Sequence, residues 1–523
     1  MTYASSALRE GAGRGWRWRR RACALAIAAV GVGGLATRAG AYDPATTHAG
    51  LTQQAVVASG LHQVLSRRLA RPLGMFEPIA LHADLLTLAD RRPLLTRLGA
   101  LDPAGGYRPG DDGLAPAVAW VIAGAVIAKT PPERAQHLFF DPSTGSGLRD
   151  AAAIDGFLHS LRLVADAGGS LRGVATGTSF SFEGQPSLRW LEAPENDVGL
   201  PVFFDQLERA IADPDPALRS SALARALMAL GGTLTVLEDA GNPAQVRNDF
   251  RAAYLRGHSG SPFDRSSPFE RAVADFFGVG GVPAARTVVR RPSVRAFFTD
   301  RDGQGLADRT QRRFFSDGTV PEDGIVDRDT TPADVSRAAR ESLIYELPTV
   351  SRLDLREMGT RRYLSVSDPP SDVYPEGKSD GSKVLPRRIL GYERVPGRVR
   401  FFLDARVYTD SARVLLPEIA GYAAGLIDHL FRAEVRLTLD GDQVRAAVVA
   451  PAGRIQGGQL RLFGEDATGK RREIGSFSTE GGAERGVSVA VTPGTRRVAA
   501  VLRGRDDAGP VVAFGELAVP ARR

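Results

Sequence analysis

Cysteine is almost absent from these 523 residues: the one thiol, Cys23, lies within the first 41. Beyond residue 41 the chain therefore has no thiol with which to build a disulfide framework or ligate a metal. No glycine-rich phosphate loop, nucleophile elbow, Cys-His zinc pattern or internal repeat stands out either. Net basic charge is scarce once it is located. The net charge of +7 includes seven arginines against the single acid Glu10 in residues 1–41, a local sum of +6, so the remainder carries about +1. A basic partner surface of the kind that binds nucleic acid is not expected from that balance.

The basic opening has three parts: an arginine-rich start, an apolar stretch from Ala22 to Ala36, and the small-residue site Ala39-Gly40-Ala41. Together they read as a secretory signal with cleavage after Ala41. The alternative is an uncleaved anchor. Against it, the apolar stretch falls short of the roughly 20 residues needed to span a bilayer, and Arg38 interrupts its end. Cys23 is not at the cleavage site, which argues against lipid anchoring. The expected location is secreted, periplasmic or at the cell surface, with no transmembrane segment after cleavage.

What the chain does have is a long helical stretch between Ser221 and Asn242. Leu223, Leu227, Leu230, Leu234 and Leu237 recur at steps of four and three, which places them on one stripe of a 3.6-residue helix. About 100° round, Met228, Gly232, Thr235 and Asp239 form a second stripe of small and polar groups. Gly231 and Gly232 each cost about 1 kcal/mol relative to alanine inside a helix, so they predict close approach of another part of the chain. Asn242-Pro243 ends the helix.

This run resembles the helix of the zinc-dependent phospholipase C and single-strand-specific nuclease superfamily, whose pattern is His-x3-Asp-x3-Pro-x-His. Laid on this chain, the pattern falls on Thr235, Asp239, Pro243 and Gln245, so the acid and the proline match and both histidines are missing. The resemblance covers about residues 42–290 and implies further site positions. The mature amino terminus at Tyr42 and the nearby His48 would share one zinc with Asp239. His137, in ERAQHLFFDPSTGSG, takes the place of the family's His-Phe-x-Asp histidine, with Asp141 opening the turn that follows. The acid expected upstream of it is absent from 120–130, where Lys129 brings a positive charge instead, repulsive to a dication. Glu270 stands in the acid place of a His-x3-Glu pair whose histidine is replaced by Ser266. His258 lies upstream in a loop. The candidate metal ligands are thus Tyr42, His48, His137, Asp239 and Glu270. Each has a plainer reading: His48 as a polar residue in a first helical turn, His137 as part of a capped turn before Phe139-Phe140, His258 as a solvated loop residue.

Other helices are expected over 115–128, 147–166 and 200–212, with further helical pattern over 303–342. Residues 349–398 are rich in Pro, Gly, Ser, Asp and Arg and read as linker or irregular lobe. The helix ending near Phe431 carries His429, read as helix surface, and places Ala420 and Ala424 for close packing. From Glu434 the period changes. VRLTLD, VRAAVVA, QLRLFGED, REIGSF, GVSVAVT, RVAAVLRG and VVAFGELAV are short runs divided by turn residues, which predicts an antiparallel sandwich. Asp440, Asp442, Glu465, Asp466, Asp506 and Asp507 sit near its turns, as calcium ligands or as solvated hairpin tips. The organisation expected is a signal peptide over 1–41, a mainly α, phospholipase C-like helical domain over 42–345, an irregular linker and closing helix over 346–432, and an all-β sandwich over 433–523.

A catalytic zinc needs about three protein ligands and an open place. The surviving set implies at most one zinc ion and a depleted site. Two functions follow. One is a phospholipase C-like scaffold whose activity is reduced or lost and which binds phospholipid or cell-surface polymer. The other is an active single-metal phosphodiesterase acting on phospholipid or other phosphodiesters.

Overall fold

The computed structural model describes residues 47–81, 113–129, 132–148, 184–249, 267–277, 281–320, 324–325, 357–366, 387–481 and 486–520. The expected leader, Tyr42, the helix expected beyond 148, His258 and Ser266 lie outside the described residues.

The helical part is built round α4 (Pro216–Asp239). It begins five residues before Ser221, where the sequence reading starts it. Asp215 caps it by accepting from the amides of Ala217 at 2.7 Å and Leu218 at 3.3 Å, and Pro216 takes the first position, where a missing N–H costs nothing. All five stripe leucines are buried, and so are Met228, Thr235 and Asp239 on the second stripe. The helix is thus covered on all sides. It is long and apolar enough by length and composition to cross a membrane, but its surroundings are protein: α2 (Ala117–Ile127) and α3 (Leu200–Ala212) pack along it. The glycines account for that closeness. A Cβ at Gly231 would lie 1.9 Å from the Val121 carbonyl oxygen, and one at Gly124 on α2 would lie 1.9 Å from that of Met228. The two helices meet backbone to backbone, as the paired glycines in the sequence indicate.

Four further helices close this core. α1 (Ala49–Ala58) packs against α2 and against the long closing helix α7 (Ala405–Leu430); α5 (Pro268–Phe277) lies on α7, and α6 (Leu306–Arg313) joins the same side. α7, the expected closing helix, is buried along most of its length. His429 on it is buried too, beside the Phe297 ring at 5.7 Å, which corrects its reading as helix surface. A short antiparallel strand pair, β1 (Pro78–Ala80) with β2 (Leu114–Pro116), lies at the start of α2, where the Trp120 indole donates to the Ile79 carbonyl at 2.9 Å.

The segment read as irregular contributes most of a sheet, joined by one short strand from the stretch 303–342 expected to be helical. β3 (Gly324–Ile325), β4 (Arg362–Val366), β5 (Arg387–Val395) and β6 (Arg398–Phe402) form four antiparallel strands in the order β3-β6-β5-β4. One face carries Leu364, Leu390, Val399 and Phe401, which pack with Phe315 in a small core of their own. Frequent arginine and the Pro-Gly turn at 396–397 obscured this alternation in the sequence.

Beyond Glu434 the seven runs become seven strands: β7 (Glu434–Asp440), β8 (Gln443–Val449), β9 (Gln459–Glu465), β10 (Arg471–Ser478), β11 (Val487–Ala490), β12 (Arg497–Asp506) and β13 (Gly509–Ala518). Their order is β10-β9-β12-β13-β7-β8-β11, antiparallel except for one parallel pairing, Phe514 with Glu434, between β13 and β7. That pairing corrects the expectation of a wholly antiparallel arrangement. The sheet folds over a core of Val435, Val444, Leu460, Leu462, Val498, Leu502 and Val511.

The β domain is continuous with the helical core. Phe431 packs edge to face with Phe203 of α3 at 5.5 Å and with Phe514 of β13 at 6.2 Å. Arg432 binds both oxygens of Asp506, at 2.7 and 2.9 Å. Arg471 and Arg219 share Glu465, at 2.9 and 3.1 Å, and Arg471 also donates to the Ile211 carbonyl at 2.6 Å. Two of the acids weighed as calcium ligands or solvated tips are therefore held by arginines across the junction. Asp466 is spent locally, accepting from Thr468 N and Lys470 N in its turn.

Candidate functional site

At the C-terminal end of α4 four ionisable side chains meet with no solvent exposure. His48 enters in the turn that leads into α1, Lys129 in the turn just after α2, and Glu238 and Asp239 from the last turn of α4. His48 Nδ1 is hydrogen-bonded to Glu238 Oε2, while His48 Nε2 lies 3.3 Å from Asp239 Oδ1. Lys129 Nζ donates to the same Asp239 oxygen at 2.9 Å. Thr52, one turn along from His48, donates to the other Glu238 oxygen at 2.9 Å. Burial and the Lys129 charge pull the His48 pKa down, but the carboxylates of Asp239 and Glu238 overcome them and hold it above the ordinary histidine value. An imidazole whose protonated form is favoured and an ammonium face two carboxylates. Paired in this way, charges can be kept out of water at a cost that a lone one could not meet.

This is a neutralised ion cluster and not a set of metal donors. The Asp239 oxygen nearest His48 is already bound by an ammonium, and His48 has its Nδ1 engaged by Glu238. Among the described residues no group of three His, Cys, Asp or Glu side chains is arranged to hold a metal ion. A zinc ion does not fit these residues as they stand: it would have to displace Lys129 and face its charge. Lys129, expected from the sequence to repel a dication, lies where it supplies a positive charge of its own.

The other candidates are engaged elsewhere. Glu270 sits in the first turn of α5, where its Oε2 accepts from the Ser267 amide and the Ser267 hydroxyl accepts from the Glu270 amide at 3.2 Å. That is a reciprocal helix-capping arrangement. Its Oε1 accepts from Asn242 Nδ2, so this acid joins the end of α4 to α5. His137 lies in the short turn Pro132–Leu138, stacked on Trp190 at 4.4 Å, with its Nδ1 accepting from the Gln185 amide at 3.1 Å. Burial lowers its pKa, with Glu195 opposing. These are the contacts of an anchored aromatic turn. Asp141 accepts from Ser143 N at 2.9 Å and from Gln311 Nε2 of α6 at 2.7 Å.

The two positions that stand for histidines differ from one another. Thr235 donates to the carbonyls of Ala125 and Gly231, at 3.1 and 3.2 Å, and serves the α2–α4 contact. Gln245 is buried in the short helix Pro243–Val246 with its Oε1 lacking a hydrogen-bond partner among the described residues; Asp239 Oδ2 is in the same condition. The structure therefore brings His48 and Asp239 together, adds Lys129 and Glu238, and uses Glu270 and His137 to hold elements in place. Glu238 escaped sequence reasoning because it precedes Asp239 on neither stripe. Its only signal was Thr52, four residues after His48, where helical spacing puts both on one side.

No protein-family model matches the chain, and no curated protein does. Among solved structures it is similar to the alpha toxin of Clostridium absonum and to the alpha-toxin of Clostridium perfringens from an avian strain. Each is 9% identical, with 92% of this chain and 100% of the toxin covered, at a TM-score of 0.22. Such a score establishes neither a shared fold nor a shared activity.

Proposed function

We propose that this chain is an exported, non-catalytic protein that retains a phospholipase C-like helical scaffold and acts by binding, to phospholipid or cell-surface polymer. The observation that supports this reading is the contact of Lys129 Nζ with Asp239 Oδ1 at 2.9 Å, beside His48 and wholly buried. An ammonium there engages one oxygen of the carboxylate that a metal would need and brings a positive charge that opposes a dication. The proposal of export rests on the leader pattern of residues 1–41. A second reading, a single-metal phosphodiesterase, draws on two buried oxygens without hydrogen-bond partners among the described residues, Asp239 Oδ2 and Gln245 Oε1.

Hydrolysis of a chromogenic phosphodiester and of short-chain phosphatidylcholine separates the two. The purified protein is assayed with added zinc and with chelator, alongside Asp239→Asn. The non-catalytic reading expects no turnover above the Asp239→Asn background in either condition. Zinc-dependent turnover abolished by Asp239→Asn would establish the phosphodiesterase instead.

A further inference from the structure

The near-neutral balance beyond the leader conceals a local concentration of charge. Residues 357–366 and 387–406, which include β4, β5 and β6, hold eight arginines against three acids and no lysine, an excess of five. One face of this sheet is spent on the small apolar core described above. The register shows what the other face presents. Tyr363, Gly391 and Phe402 are aligned across β4, β5 and β6, and the two rings meet edge to face over the glycine at 6.2 Å. Gly391 permits this, because a Cβ there would lie 2.3 Å from the Phe402 ring. Guanidinium groups cover the pair: Arg361 over Phe402 at 5.1 Å, Arg388 and Arg406 over Tyr363 at 5.6 and 5.9 Å.

Two residues further along the same face, Glu393 pairs with Arg400 and, at 3.7 Å, with Arg361. The acid is nearly buried at 9% exposure, while Arg361 and Arg400 remain 59% and 46% exposed. Asp410 is likewise buried beneath Arg388, and Asp404 accepts from the Tyr363 hydroxyl. Glu393 and Asp410 lie under the face with arginines above them, while Glu357, 65% exposed, pairs with Arg362 at 3.5 Å on the outer strand β4. Arg398, paired with Val395 at the next register position, and Arg406 are exposed. At the same end of the sheet Met358 bridges to Arg394 and is 54% exposed.

We propose that this face docks on an anionic lipid bilayer, with Arg361, Arg398, Arg400 and Arg406 over the phosphate plane and Met358 entering the interface. Guanidinium binds phosphate oxygens in two-pronged fashion and is less strongly hydrated than ammonium. The four arginines come from the residue before β4, from β6 and from the first turn of α7, and the two that meet, Arg361 and Arg400, share Glu393, a spread that suits a surface of many phosphates better than one free phosphate. Single-stranded nucleic acid fits less well, because it needs open aromatic faces for its bases, and Tyr363 and Phe402 are turned into each other under arginine. An exposed apolar side chain among cations is the pattern taken up at a membrane surface. The inference is independent of whether the His48–Asp239 cluster is catalytic.

The test is co-sedimentation of the full-length protein with vesicles of phosphatidylcholine alone or mixed with phosphatidylglycerol, at low and high salt. Binding to the phosphatidylglycerol vesicles, weakened by salt and absent with phosphatidylcholine alone, is expected. Arg398→Glu combined with Arg406→Glu leaves the Glu393 pair intact and should weaken it at least tenfold. Met358→Ser, should the double variant not fold, should weaken binding severalfold with an unchanged melting curve. No binding by the unmutated protein, equal binding to both vesicles, or binding unaffected by folded variants would overturn the proposal. Tighter binding to single-stranded DNA or to a sulfated polysaccharide than to the vesicles would overturn it as well, by assigning the face to a polymer.

Discussion

Lys129 and Asp239 form an ion pair of 2.9 Å in which neither side chain reaches solvent, though 110 residues separate them in the chain. Between them they join the turn after α2 to the end of α4, and His48 brings the turn before α1 to the same oxygen. The pair thus closes a three-helix junction with charge where the surrounding contacts are apolar.

Removing one partner leaves the other buried and unpaired. Lys129→Met alone or Asp239→Leu alone should each cost about 3–5 kcal/mol. The double variant Lys129→Met with Asp239→Leu should cost far less than the sum, because no orphan charge of the pair remains. Urea unfolding of the four proteins gives the coupling directly. Additive losses would show that the two groups do not depend on one another.

His429 supplies a pH dependence. Burial lowers its pKa from 6.5 to about 4, with the Arg432 charge adding and Asp506 and the Arg291 backbone opposing. The unfolded chain therefore takes up a proton before the folded one. Stability is full above pH 6.5 and is lost as pH falls from there towards 4, by on the order of 3 kcal/mol. Thermal melts across that range should show the slope, and His429→Leu should flatten it. An unchanged slope in the variant would place the acid sensitivity elsewhere.

Close approach of α2 and α4 sets a third expectation. Gly231→Ala would place a methyl group 1.9 Å from the Val121 carbonyl oxygen, so the helices must part. The loss should exceed the gain of roughly 1 kcal/mol that alanine brings to a helix, leaving a net destabilisation of a few kcal/mol. Gly145→Ala tests a different kind of position: it faces open space at φ +70°, and only the smaller strain of the left-handed conformation applies there. Chemical denaturation of both variants ranks them, and a loss at Gly145 equal to that at Gly231 would contradict the packing argument.

How much of this was legible depended on the physical signal. Seven strands beyond Glu434 followed from alternation and turn residues, and the α4 leucines from their period, because both patterns are local. The beginning of α4 required weighing Asp215-Pro216 as a cap, a signal that is also local and was present. His48 and Asp239 could be named as neighbours through the resemblance alone, while the charge sign at Lys129 was visible but its destination was not. A lysine near an expected metal position reads as repulsion until the fold shows it bonded to the carboxylate. Glu270 and His137 illustrate the converse: residue types suited to metal ligation that the fold spends on a helix cap and on a stack against Trp190. His429 was misplaced because α7 is buried nearly all round, so helical periodicity had no polar side to reveal.

Docking of the β domain on the helices yields a prediction for cooperativity. Phe203, Phe431 and Phe514 make one aromatic chain across the junction, and Arg432 with Asp506 and Arg471 with Glu465 are largely buried there. Calorimetry of the full chain should give a single unfolding transition. Arg471→Ala should lower its midpoint and leave it single, since one buried ion partner is lost while the aromatic contact stays. Two separate transitions in the unmutated protein would show that the domains are independent.

The central claim is that the Lys129 ammonium takes the place of a metal ion at Asp239. It is tested most directly by elemental analysis of the purified, dialysed protein after exposure to excess zinc. The account predicts zinc well below one ion per chain. One or more tightly held zinc ions per chain would contradict it, because Asp239 and His48 would then be serving as ligands in a site from which Lys129 has been displaced.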